Sequence, residues 1–133
     1  MAARNGDLAT ANQALKSAEK YPHKEVSDAN ADMRLIAEAE MALARKMPAQ
    51  AIALLNTRYA NDNCLYLLNA TLERALRQAG KTNAANSKLE WLVENRGKAY
   101  AEFNQQNFLQ PANVVTYQQA AARLKNKGLG KPL

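Results

Sequence analysis

The chain holds one cysteine, Cys64, which excludes an intrachain disulfide framework and a cysteine-rich zinc site. It holds one histidine, His23, with no cysteine or carboxylate cluster to make a metal centre of it. Aromatic residues are scarce at 6%, so a core must be built from small and aliphatic side chains. No apolar run approaches the roughly 20 residues that cross a bilayer. The opening stretch MAARNGDLAT also lacks the apolar centre of a secretory signal. No run alternates apolar and polar residues for long enough to argue for a strand, and no glycine-rich loop offers to cradle a phosphate.

What remains is alanine, leucine and charge. Apolar residues make up 47%, with alanine and leucine recurring throughout, which favours helices; 133 residues fit one domain. The expected fold class is therefore all-α. Eighteen Lys and Arg against twelve Asp and Glu give +6. Such a charge steers a protein toward an acidic partner, a phosphate backbone or an anionic surface. Nothing here decides the compartment between cytoplasm and periplasm.

Helical spacing organises the chain. Leu8, Ala11, Leu15 and Ala18 mark a first helix over about 7–20, with Asp7 placed to cap it and Pro22 to stop it. A second runs over about 28–46, with Ser27 or Asp28 as cap and Ile36, Ala39 and Leu43 on one stripe. Pro48 suits the first turn of a third, 48–57. Asn61 or Asp62 caps a fourth, 62–79, whose stripe Leu65, Leu68, Leu72, Leu76 ends at Gly80, a residue suited to a left-handed terminator. A fifth covers 82–95, a short piece lies around KAYAEF, and Pro111 opens a last helix before the tail 128–133.

The stretch GDLATANQALKSAEKYP resembles the second helix of a tetratricopeptide repeat: Gly6 at the turn, then Leu8, Ala11, Leu15 and Ala18, then proline. The same order returns in Gly80, Thr82, Ala85, Leu89 and Leu92, and in Lys46, Pro48, Ala51 and Leu55, where lysine stands in the glycine position. Ala51 and Ala85 are 34 residues apart, which is the family's period. The resemblance implies a short right-handed solenoid of antiparallel hairpins. Residues 6–22 are then a half repeat whose partner helix is expected upstream, 28–58 and 62–96 are full repeats, and 97–127 is a capping region. An unfilled flank on the first helix would invite weak self-association.

No chemistry competes strongly with that reading. Cys64 near the start of a helix reads as a buried small residue, and His23 as a solvated loop side chain. Asp28 and Asp32 share a helical face but sit where negative charge favours the helix dipole. No catalytic residue, metal or cofactor is expected. The resemblance implies a protein or peptide partner on a concave face lined by first helices, here Met33, Ile36, Ala37 and Glu40 beside Leu67, Ala70, Arg74 and Arg77. A partner segment would pack on Met33, Ile36 and Leu67 while Arg74 and Arg77 meet its acidic groups. Ala37 and Thr71 stand where the family's carboxylate clamps use asparagine, and Met33 where they use lysine, so capture of a chain terminus is not expected. The rival is a basic helical nucleic-acid-binding domain, set back by the absence of aromatics among the basic residues of the C-terminal tail. Membrane insertion is not expected. The chain reads as an arm of a larger regulatory or signalling protein of bacterial type.

Overall fold

Pro48, Gly80 and Pro111 punctuate the chain as their backbone chemistry requires. The computed structural model describes residues 2–19, 28–58, 64–102 and 109–128, and every regular element among them is helical. A 3-10 turn (Ala2–Asn5) leads into α1 (Leu8–Glu19), α2 (Asp28–Ala44), α3 (Pro48–Asn56), α4 (Tyr66–Gln78), α5 (Thr82–Glu94), α6 (Arg96–Ala101) and α7 (Gln110–Asn126). Asp7 caps α1, its Oδ1 accepting the Thr10 amide at 3.0 Å. The expected positions Pro22, His23, Ser27, Asn61, Asp62 and 129–133 lie outside the described residues, as does the side chain of Asp28.

One turn occurs three times. At Gly6, Lys46 and Gly80 the backbone is left-handed, with φ of 80°, 59° and 72°. Each time, the amide after this residue bonds back five positions: Asp7 to Ala2, Met47 to Ala42 and Lys81 to Leu76, at 2.9–3.0 Å. The amide of the turn residue itself bonds back three: Gly6 to Ala3, Lys46 to Leu43 and Gly80 to Arg77. These paired bonds satisfy the last carbonyls of the preceding helix and define the Schellman motif. A new helix starts two residues later in every case, and the alanine five residues on (Ala11, Ala51, Ala85) is buried each time. The 3-10 turn at Ala2–Asn5, which helical spacing in the sequence does not mark, supplies the first of these turns.

Packing sorts the helices into two series. The 3-10 turn lies against α2, α2 against α4, and α4 against α7, forming one row. Between its neighbours, α1 contacts the 3-10 turn and α2, α3 contacts α2 and α4, and α5 contacts α4 and α7. The main core joins Ile36, Leu43, Leu55, Leu68 and Leu72 from α2, α3 and α4, closed by Ala51 and Ala85. A second cluster sets Leu89 and Leu92 of α5 against Ala120 and Leu124 of α7, with Ala99 of α6. A small third one, Ala3, Ala11 and Met41, seats α1.

Two local expectations need correction. Helix four begins at Tyr66 rather than 62, and its N-cap, Leu65, makes no side-chain bond. Carboxylates from elsewhere take over: Asp32 of α2 accepts the Leu65 amide and Glu102, just after α6, accepts the Tyr66 amide, both at 2.7 Å. Lys88, which by pattern belongs to an exposed face, is buried between α4 and α5.

Candidate functional site

The first-row face is tied together by ion pairs. Glu40 of α2 sits six residues before Lys46, and Arg74 of α4 six before Gly80, so the repeated register puts them side by side, and Arg74 pairs with Glu40. From the other side Arg4 reaches the same carboxylate at 2.8 Å, and the Thr71 hydroxyl donates to it at 3.2 Å. Burial pushes the pKa of Glu40 up, but the bonds and charges of Arg4 and Arg74 outweigh it and hold the carboxyl below the usual range. One helix further, Glu73 receives Arg123 of α7 at 3.2 Å and Arg77 at 3.3 Å. Two buried carboxylates therefore link four consecutive members of the row.

This arrangement changes what the expected partner-binding residues can do. Ile36 and Leu67 are each only 7% exposed and belong to the main core, so they offer a ligand almost no surface. Met33 packs at the edge of that core, and Ala70 against the second cluster. Glu40 is buried under its two arginines, and Arg74 is committed to it. Only Arg77 is more than half exposed, and Met33, Ala37 and Ala70 keep partial exposure. The structure thus brings Glu40 and Arg74 together, but as an internal bond. The signal that could have found this pair is their separation of 34 residues, equal to the spacing of the Lys46 and Gly80 turns, with opposite charge at one register position.

A second polar cluster surrounds the start of α4. Asp32 also receives Arg58 at 2.8 Å. Burial raises the Glu102 carboxyl's pKa despite the bonds from the Tyr66 amide and from Asn113. The Cys64 thiol is pushed up by burial as well, although the Asn69 amide donates to its Sγ at 3.2 Å. On its other side Asn69 faces the Lys88 ammonium at 3.4 Å, whose pKa burial lowers. Tyr66 donates its hydroxyl to the Leu92 carbonyl at 2.7 Å and lies against Trp91. A thiol this buried and protonated is a poor nucleophile, and the carboxylates here hold backbone amides. Asn113 keeps one buried oxygen, Oδ1, without a partner.

Among the described residues no group of three His, Cys, Asp or Glu side chains gathers around a point that could hold a metal, and no helix is long and apolar enough to cross a membrane. Two shallow surface depressions lie at the start of α5 (Gly80–Ala84) and on α1 around Asn12 and Lys16. No protein-family model, curated protein or solved structure matches the chain.

Proposed function

We propose that this chain is a non-catalytic, tetratricopeptide-like interaction module: hairpins stacked as a short right-handed solenoid with α6 and α7 as its cap, binding a protein or peptide as an arm of a larger regulatory protein. The observation that carries the reading is the threefold turn at Gly6, Lys46 and Gly80, each with the same bonds, the same helix start and the same buried alanine. Stacked repeats bury a continuous core through neighbour contacts alone. The two interleaved series of helices fit that scheme. On the first-row face the surface left to a partner is Met33, Ala37, Ala70 and Arg77.

A linear array accepts an extra unit, whereas a closed bundle does not. Duplicating residues 46–79 in frame after Ala79 should lengthen the particle by roughly 10 Å in solution scattering, one helix spacing, while cooperative melting survives. Loss of helicity or collapse into aggregates would refute the solenoid. Selection from a random-peptide library should converge on a shared pattern, and a failure to converge speaks against the binding role.

A further inference from the structure

Exposed positive charge among the described residues concentrates at one edge. The row of first helices runs in parallel, with C-terminal ends together: Gln78 of α4 donates to the Leu43 carbonyl of α2 at 3.3 Å, Arg45 reaches Asn12 of α1 at 3.0 Å, and Lys127 of α7 reaches Asn86 in the first turns of α5 at 2.8 Å. The three Schellman turns and the end of α7 therefore form one continuous border. Exposed along it are Arg45 and Lys46, then Arg77 and Lys81, then Lys125 and Lys127. The acids near this border are Asp7, spent on capping α1, and Glu40 and Glu73, both buried in ion pairs. Among the described residues six exposed cations thus stand in three pairs, with no exposed acid among them other than Asp7 and with Arg77 also reaching the buried Glu73 at 3.3 Å.

Resting on the reading of the chain as a polypeptide-binding module, we propose that this turn edge, rather than the Glu40–Arg74 face, is the docking surface, and that its partner is an extended acidic polypeptide segment. Two features choose a polypeptide over a phosphate backbone. Neighbouring helices lie roughly 8–10 Å apart. A pair of cations at the C-terminal end of each of α2, α4 and α7 therefore meets carboxylates spaced about three residues along an extended chain, which rises about 3.3 Å per residue. Met47, 48% exposed beside Lys46, adds an apolar contact within the row. An aliphatic side chain uses such a contact and a phosphate backbone does not. Lys46 itself holds the strained left-handed position that glycine fills in the other two turns, so a charge is kept there against local backbone preference.

The test is fluorescence anisotropy with the full chain and three labelled probes: a peptide with glutamate at every third position interleaved with leucine, its glutamine twin, and a random-sequence DNA duplex. The acidic peptide should bind best and weaken as salt rises. Neutralising the edge with Lys46→Gln, Lys81→Gln and Lys127→Gln should weaken it about tenfold, since each exposed pair contributes modestly. Removing Arg34 and Arg96 in a control, both exposed, in the first half of α2 and at the start of α6 and so away from this border, should change it less than about twofold. Circular dichroism checks that both variants stay folded. Equal binding of the glutamine twin overturns the edge but leaves the module reading standing. Tighter binding of the duplex overturns the polypeptide partner. No binding of the acidic peptide, or equal loss in the control, overturns the proposal.

Discussion

The two ends of the helical array solve the same problem in opposite ways. At the turn edge, helix ends are satisfied locally, by bonds reaching back three and five residues through Gly6, Lys46 and Gly80. At the other end, the start of α4 is satisfied from afar, by Asp32, 33 residues before Leu65, and by Glu102, 36 residues after Tyr66. Local closure needs no side chain, so the turn edge is free to display charge. Remote closure consumes two carboxylates, one of which, Asp32, is buried as Cys64, Asn69 and Lys88 are. Surface chemistry is therefore available at one end and spent at the other.

The sharpest way to break this contrast is Asp32→Ala. Asp32 is 1% exposed, and its two oxygens hold the Leu65 amide and the Arg58 guanidinium. Removal leaves a buried amide without its acceptor and a guanidinium without its carboxylate. Such losses cost about 3–5 kcal/mol, a large fraction of the stability of a domain this size. Denaturant unfolding should show it, and a change under about 1 kcal/mol would mean that α4 is held by its apolar stripe alone.

Acidity separates two other carboxylates by sign. Glu40 has its pKa held below the usual 4.5, so it is ionised in both states near neutrality and its ion pairs contribute fully there. That contribution is lost as pH falls below 4.5 through the lowered value. Glu102 has its pKa raised above 4.5 by burial, so the folded state binds the extra proton and stability falls as pH climbs through the raised value. Glu40→Gln should therefore cost about 2 kcal/mol at neutral pH and progressively less in acid. Glu102→Gln, which mimics the protonated acid, should do relatively better at neutral pH than in acid. Melting curves of both variants across the acid range check this, and parallel profiles would contradict it.

Sequence legibility follows the same divide. The helices bounded by Pro48, Gly80 and Pro111 fall where spacing and punctuation put them, because those signals are local. The start of α4 is not legible locally because its caps come from α2 and from beyond α6. Lys88 reads as a surface residue because nothing in its own helix announces Asn69 across the interface. Ile36 and Leu67 fit a binding face by register because first-row helices have two apolar sides, and periodicity alone does not tell the side that meets a partner from the side that meets α3 and α5. Arg74 is the instructive case: its register position was legible, but its commitment to Glu40 needed the pairing of two helices to be drawn first.

The smallest expected effect separates structure from use within a single turn. A Cβ built at Gly6 or Gly80 meets nothing within 4 Å, so only backbone conformation distinguishes these positions from Lys46. A non-glycine residue in the left-handed region costs about 1–2 kcal/mol, and glycine returns part of that through the greater freedom of its unfolded chain. Lys46→Gly should thus stabilise the protein by about 0.5–1 kcal/mol, raising the melting temperature by a few degrees, and Gly80→Lys should cost about as much. If the turn edge docks an acidic segment, Lys46→Gly should at the same time weaken the glutamate peptide about twofold, because it removes one charge from the row. Stability and affinity then move in opposite directions in one variant. A gain in both would mean that the lysine at this position serves neither the turn nor the partner.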